Sequence, residues 1–136
     1  MEYIQVDQNT ILPDISGFSP FKAVMAIEDQ IGQHRREIIS NWLIQMGCLY
    51  VMICGDEIAL WSESIRKANI DQNDINTMTP DQFVMITEHE NERLRNVFWH
   101  AKKYAKHTHA NLQTLVVIHV SNHNRAMDYM SIFNKA

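Results

Sequence analysis

The chain contains 136 residues, of which 46% are hydrophobic and 21% are charged. This length suits a single domain, and this composition provides enough apolar material for a core and excludes a disordered chain. The formal net charge of -4 argues against a general nucleic-acid binder, because such a protein needs a surplus of Lys and Arg over its contact surface. The excess of acids lies in residues 1–68, which hold nine acids and five bases, whereas residues 69–136 hold seven of each.

The first residues show none of the features of a signal peptide. Met1 is followed by Glu2, and Asp7 and Asp14 follow within the first twenty residues, so neither a basic nor an apolar leader region is present. No apolar run approaches the roughly 18 residues that a membrane span needs. We therefore expect a cytoplasmic protein without a membrane partner.

The two cysteines, Cys48 and Cys54, fall on one predicted strand. At about 3.3 Å per residue their Cα atoms would lie roughly 20 Å apart, whereas a disulfide needs less than about 7 Å. We expect both thiols to be buried small apolar groups rather than a redox or metal pair.

The chain is predicted to divide into an irregular N-terminal arm, residues 1–20, and a single domain, residues 21–136. Pro13, Gly17 and Pro20 indicate the irregular arm. Within the domain, four apolar runs lack the polar alternation of a half-exposed strand, which is typical of parallel strands covered on both faces. The runs are residues 21–27, 48–54, 83–87 and 115–120.

Helical spacing of apolar residues predicts a helix after each of these strands. Gly47 is a favourable C-cap for the first helix, and Asp56, Asn91 and Asn122 are favourable N-caps for the other three. Four strand-helix units with right-handed crossovers predict a three-layer α/β/α sandwich with a four-stranded, mainly parallel sheet. We expect the strand order 2-1-3-4, as in flavodoxin-like or Rossmann-like folds. The long connection 69–81 is either a binding loop or a tolerated insertion.

Open α/β sheets bind ligands at the carboxyl ends of their strands, where the strand order reverses. For the order 2-1-3-4 this crevice lies between the first and third strands, and its residues are Glu28, Asp29, Glu88 and His89, with Thr87 and Glu90 beside them. Carboxylates beside an imidazole can supply an acid and a base, which would suit an enzyme or a metal-dependent hydrolase. In that alternative His89, His119 and His123 are candidate metal ligands. The competing interpretation is that these residues only cap helices, with no catalytic residue and no metal site.

Common catalytic and cofactor motifs do not occur in this sequence. The only glycines are Gly17, Gly32, Gly47 and Gly55, and none has the spacing of a phosphate or dinucleotide loop. The acidic residues after the first strand would also repel a phosphate there. Gly-x-Ser-x-Gly, His-Glu-x-x-His and Cys-x-x-Cys are absent. We expect no cofactor.

The third predicted helix carries the clearest candidate binding surface. Spacings of three and four residues place Arg95, Trp99, Lys102 and Lys106 along one face, opposite the predicted core stripe. Trp and Arg dominate binding hot spots, which favours contact with a protein. Alternatively, Trp99 packs under neighbouring chain with lysine stems over its ring. Residues 69–90 hold five acids and no base, so the separated charges suit a protein partner or self-association as a homodimer.

Five segments carry a resemblance to a known family. They are Trp42, the run Gly47–Met52, Trp61, the run Phe83–Thr87 with His89, and Phe98-Trp99-x-Ala101-Lys102. These segments resemble an uncharacterised bacterial family that is a domain of unknown function, over residues 20–120. The resemblance implies a small bacterial cytosolic protein, and it implies no particular activity or catalytic residue.

Two functions follow as alternatives. The first is a small soluble, non-catalytic protein-binding module, for example an immunity-type or accessory protein that occupies a partner's active site. Small size, mild acidity, separated charges and the absence of catalytic motifs favour it. The second is an enzyme that uses the crevice of Glu28, Asp29, Glu88 and His89. The fold alone does not choose between them, and we expect the first.

Overall fold

The computed structural model describes residues 1–136 and contains one five-stranded sheet between two layers of helices. The elements are β1 (Glu2–Val6), β2 (Phe21–Ile27), α1 (Gln33–Gln45), β3 (Cys48–Gly55), α2 (Ile58–Gln72), β4 (Met85–His89), α3 (Leu94–Lys103), β5 (Thr114–Val120) and α4 (Ala126–Lys135). The strands lie in the order β1-β5-β2-β3-β4, and every neighbouring pair is parallel. None of the four helices has the length and apolarity needed to cross a lipid bilayer.

The predicted α/β class is confirmed, whereas the predicted strand count and the order 2-1-3-4 are wrong. The four predicted strands are β2, β3, β4 and β5, and the fifth strand, β1, lies within the segment 1–20 that we expected to be irregular. Strand β1 pairs with β5 in a register that runs from Glu2 with Val116 to Val6 with Val120. Strand β5 therefore lies between β1 and β2 rather than at an edge beside β4.

The polarity of the strands accounts for the observed order. Residues Leu115–Val120 of β5 are all buried, which suits an interior strand because helices cover both of its faces. In β4 only His89 is buried, and Met85 and Glu88 are exposed, as expected for an edge strand. The predicted order would have placed β5 at an edge and β4 in the interior, against the polarity of both strands.

Each face of the sheet carries its own apolar core. Met25 and Ile27 of β2 belong to the core that α1 and α2 cover. Val24 and Ala26 of the same strand belong to the opposite core, which α3 covers and against which α4 packs. This two-residue alternation is the period of a strand that is buried on both sides. The core stripe predicted for α3 comprised Leu94, Val97, Phe98, Ala101 and Ala105, and all of these are buried except Leu94, which is half-buried.

The helix ends agree with the sequence at α1 and differ at the starts of α2, α3 and α4. Helix α1 ends at Gln45, and Gly47 has a φ of 108°, as predicted for a left-handed C-cap. The N-caps predicted at Asp56, Asn91 and Asn122 are wrong, because the N-cap of α2 is Glu57 and because α3 and α4 begin further along the chain. Asn91 instead occupies a left-handed turn, with a φ of 58°.

The connection after α2 is shorter than predicted and is held at its far end. Helix α2 continues to Gln72, and the next strand begins at Met85. The buried Asn69 donates its amide N–H to the Gln82 carbonyl at 2.8 Å, and its Oδ1 accepts the Val84 N–H at 3.2 Å. These two bonds fix the chain as it returns to the sheet.

Gly55, at the end of β3, provides a test of this packing. Its φ is 93°, and a Cβ at this position would lie 2.1 Å from the backbone oxygen of Ile27. We expect Gly55→Ala to lower the free energy of unfolding by about 2 kcal/mol or more, because both backbone strain and a clash with rigid backbone result. Urea denaturation measures this loss.

Gly17→Ala is the matched control, since a Cβ added at Gly17 would meet nothing within 4 Å and its φ is not left-handed. We expect a change of less than about 0.5 kcal/mol for this variant. Equal stability of the two variants would contradict the close approach of β3 to β2 at Gly55.

Candidate functional site

The strand order reverses between β2 and β5. The chain leaves β2 towards β3 and β4 and then returns to β5 on the other side of β2. In open α/β sheets the carboxyl ends of the strands beside such a reversal form the usual ligand crevice. Here they bring together Glu28, which follows β2, and His119, which lies at the end of β5. The predicted crevice lay between β2 and β4, which are not neighbours.

Glu28 is the centre of a hydrogen-bonded cluster at this reversal. Its Oε2 accepts hydrogen bonds from the Ser121 hydroxyl and from His119 Nε2, the latter at 3.0 Å. Its Oε1 lies 3.4 Å from Arg125 Nη2. The hydrogen bond from Ser121, followed by those of the other partners, lowers the pKa of Glu28, so the side chain is a carboxylate at neutral pH.

The His119 ring is fully buried between β1, β2 and α4. Its Nδ1 lies 2.5 Å from the Tyr3 hydroxyl, and the Tyr129 ring stacks on it at a centroid distance of 4.5 Å. Burial lowers the pKa of His119 more than the nearby Glu28 raises it. The ring is therefore neutral at pH 7, with Nε2–H donating to Glu28 and Nδ1 accepting from Tyr3.

A second carboxylate-histidine pair lies at the end of β4. His89 is buried, and its Nδ1 lies 2.7 Å from Glu92 Oε2, while its Nε2 lies 2.7 Å from Thr87 Oγ1. The His100 ring packs edge-on against His89 at 4.8 Å, and His100 Nε2 lies 3.1 Å from the Tyr50 hydroxyl. Burial lowers the pKa of His100. Both ring nitrogens of His89 thus have partners within the chain.

The structure does not bring the four predicted crevice residues together. Glu28 follows β2 and Glu88 belongs to β4, and the two strands are about 10 Å apart at the usual strand spacing. Glu88 is exposed on the face opposite to the buried His89. Asp29 accepts the Asn122 backbone N–H at 2.7 Å and so holds the turn after β5. Glu28 and Asp29 form one group, and His89 belongs to another.

The alternative metal ligands are also separated. Strands β4 and β5 have two strands between them, so the backbones of His89 and His119 lie about 14 Å apart at the usual spacing. His123 is exposed, and its backbone N–H donates to Ser121 Oγ at 3.0 Å. No group of three or more His, Cys, Asp or Glu side chains is arranged to hold a metal ion.

A cavity of about 320 Å³ lies at the carboxyl ends of β2 and β3, between the two carboxylate-histidine pairs. Glu28 lines it from one pair and Glu92 from the other, and Cys54 and Tyr129 also line it. Burial, with a smaller contribution from Glu92, raises the pKa of Cys54 to about 12, and burial also raises the pKa of Tyr129. Asp56 also lines the cavity, which therefore presents three carboxyl side chains together with a protonated thiol and a protonated phenol.

Both cysteines are free and buried, as predicted. Burial raises the pKa of Cys48 to about 12, and its thiol donates to the Tyr50 carbonyl oxygen at 3.4 Å. The Cys54 thiol donates to the Met25 carbonyl oxygen at 3.6 Å. Both side chains behave as small apolar residues of the core.

The outward face of α3 exposes a pair of aromatic rings. Trp99 is 46% exposed and meets the Tyr104 ring edge-on at a centroid distance of 5.2 Å, and Tyr104 is 59% exposed. Arg95 is also exposed and forms no salt bridge. The alternative in which a lysine stem covers Trp99 is not observed, because the Lys102 ammonium lies over the Phe133 ring at 4.3 Å.

Arg95, Trp99, Lys102 and Lys106, which were predicted to share one helix face, do not form one surface in the structure. Lys102 Nζ donates to the Phe133 carbonyl at 2.6 Å and to the Ala136 carbonyl at 3.1 Å, so this lysine ties α3 to the end of α4. Helix α3 ends at Lys103, so Lys106 lies beyond the helix and its helical spacing does not apply. Lys106 lines a cavity together with Lys22 and Lys102. Arg95 and Trp99 remain as the outward residues of α3.

The sequence did not indicate several members of the Glu28 cluster. Tyr3 was missed because residues 1–20 were interpreted as irregular, although aromatic and β-branched residues in the run Glu2–Val6 are typical of a strand. Ser121 and Arg125 lie in the turn after β5, and no sequence motif in this turn predicts their contacts with Glu28.

The fold and this carboxyl-edge cluster define a small α/β protein with a parallel sheet and histidines that hydrogen-bond carboxylates. The chain belongs to the family described as Domain of unknown function (DUF7684), whose match covers residues 1–136. The resemblance to a domain of unknown function is thus confirmed, and the match extends beyond residues 20–120 to both ends of the sequence. The comparisons with curated proteins and with solved structures found no match.

The buried His119 makes the stability of the protein sensitive to acid. Its pKa in the folded state lies below the value of about 6.5 in the unfolded chain, so the unfolded state binds the proton more readily. We expect the free energy of unfolding to be highest above pH 6.5 and to fall as the pH drops from about 6.5 through the folded pKa. His100, whose pKa is also lowered, adds to this fall.

Urea denaturation between pH 7.5 and pH 5 measures the slope, and ring resonances in NMR spectra give the His119 midpoint directly. We expect His119→Gln to have a shallower slope than the wild type, whereas His34→Gln, at an exposed position, keeps the wild-type slope. A His119 midpoint at or above about 6.5 would mean that Glu28 holds an imidazolium, contrary to the neutral ring described above.

Proposed function

We propose that this protein is a small, non-catalytic protein-binding module and that its contact surface is the outward face of α3. The observation that carries the proposal is the exposed contact between Trp99 and Tyr104. Single exposed apolar residues are common on protein surfaces. Two large aromatic rings in contact with each other, beside the exposed Arg95, form the combination that dominates binding hot spots.

The charge of α3 indicates the chemistry of the partner. The helix carries Arg95, Lys102 and Lys103 and no acidic residue. A partner that receives Trp99 in an apolar slot and surrounds it with carboxylates would match both the rings and the charge. Electrostatic attraction of this kind raises the association rate and selects against basic partners.

The histidines at the carboxyl edge support a non-catalytic role over the acid-base alternative. His119 contacts Tyr3 and Glu28, and His89 contacts other groups of the chain through both of its ring nitrogens. A histidine that acts as a general base needs a ring nitrogen within hydrogen-bond reach of the substrate. In the alternative function, proton transfer would fall to the carboxylates of Glu28 and Glu92, which line the cavity.

More specifically, we propose that the protein is an immunity-type or accessory protein of the bacterial cytoplasm, which acts by covering a surface of its partner. Its support is the short chain, the absence of known catalytic motifs and the localised aromatic surface. A single helix face suffices for such a contact when a few aromatic anchors supply most of the binding energy.

Replacement of Trp99 tests the surface. The tagged wild-type protein is used to capture its partner from the native host, and the captured protein is then purified and titrated by calorimetry. We expect Trp99→Ala to raise the Kd by about 30-fold or more, as for a hot-spot residue. The melting temperature of the variant should change little, because the ring is half exposed.

Leu60→Ala is the matched control, since Leu60 is 45% exposed and lies on α2, on the other side of the sheet. Its affinity should equal that of the wild type, and added salt should weaken the wild-type complex. Equal binding by wild type and Trp99→Ala would contradict the proposal. A mass that doubles with concentration in the wild type, but not in Trp99→Ala, would identify a second copy as the partner.

A further inference from the structure

A second cavity lies beside the start of β2, at the opposite end of the sheet from the Glu28 cluster. Its volume is about 580 Å³, which is within the usual range of small-molecule sites. The lining includes Lys22, Lys102, Lys106, His107, His109 and Asn111. No acidic residue lines it.

The position of Lys22 is unusual for a lysine. It lies on the central strand β2, between β3 and β5, and on the face where Val24 and Ala26 belong to the core. Placing an ammonium on such a face costs desolvation free energy, which an acidic partner normally offsets. Lys22 has no such partner, and its only hydrogen bond goes to the Ala101 carbonyl at the end of α3, at 2.6 Å.

The three lysines of this cavity have no salt bridge with any Asp or Glu of the chain. Lys22 contacts a backbone carbonyl, which orients an ammonium without neutralising its charge, whereas Lys102 contacts the oxygens of Phe133 and Ala136 at the end of α4. Burial and the repulsion from Lys106 both lower the pKa of Lys22, which agrees with cations that face each other without an anion between them. The chain as a whole has a net charge of -4, so a cavity lined by three lysines and no acidic residue is unusual. Hydrogen bonds to the carbonyls at the helix ends do not by themselves account for it.

We propose that this cavity is a binding site for a small anion that carries phosphate groups, with Lys22, Lys102 and Lys106 as its charged contacts. Each ammonium has three N–H donors, so Lys22 and Lys102 keep donors free after they bind the carbonyls. A phosphate accepts several such bonds, and Lys is a common phosphate ligand because it acts as a compact charge. The site is independent of the Trp99 surface, since Trp99 does not line the cavity.

The test uses the full chain, labelled with nitrogen-15, and titrates it with sodium pyrophosphate at constant ionic strength. We expect saturable shifts of the amide resonances of residues 105–112 and of Lys22, with a Kd of about 1 mM or tighter. Lys22→Met and Lys106→Ala should each weaken binding by about tenfold, because each removes a charged contact. Lys106 forms no side-chain hydrogen bond, so its variant tests the site even if Lys22→Met unfolds.

Lys103→Ala is the matched control, since Lys103 is exposed on α3 and does not line the cavity. It should bind pyrophosphate as the wild type does. The absence of saturable shifts, or equal binding by Lys106→Ala and the wild type, would overturn the proposal. Tighter binding of a short single-stranded oligonucleotide, with shifts that spread to Arg95, would also overturn it, because the basic surface would then hold a nucleic-acid backbone.

Discussion

The structure depends on the pairing of β5 with β1 on one side and β2 on the other. Because β5 is buried on both faces, it must lie inside the sheet, and β1 provides the outer neighbour that makes this possible. The same pairing moves the reversal of strand order to the gap between β2 and β5. Glu28, His119 and Tyr3, which come from three different strands or their ends, meet there as a consequence.

The sequence predicted the elements more accurately than their arrangement. Nearly continuous apolar runs identified β2, β3 and β5, because a strand covered on both faces has few polar positions, here Lys22 in β2 and His119 in β5. The segment Glu2–Val6 was missed because Gln5 interrupts its short apolar run and because the prolines and the glycine that follow it indicated an irregular arm. Without β1 the position of β5 could not be fixed, and the crevice residues were therefore assigned to the wrong pair of strands. Glu28 was identified, whereas Glu88, expected beside it, belongs to a strand that β3 separates from β2.

The net charge of -4 hides a separation of the ionisable groups by location. The carboxylates of Glu28 and Glu92 line the cavity at the carboxyl ends of the strands, and each is held by a histidine. The two lysines that the sequence placed beside Trp99, Lys102 and Lys106, both line the basic cavity at the other end of the sheet. The aromatic contact of Trp99 with Tyr104 is left on the surface between these two regions, which is why we regard it as a contact for a partner.

The position of β5 is tested most directly by nuclear Overhauser contacts in the isotope-labelled protein. Val117 is paired with Tyr3 on one side and with Val24 on the other. We expect backbone cross-peaks from the Val117 position to both strands, together with contacts between the Tyr3 and His119 rings, whose centroids are 5.8 Å apart. Cross-peaks between Val117 and residues of β4, with none to β1, would restore the predicted order and contradict the assembly of the Glu28 cluster described here.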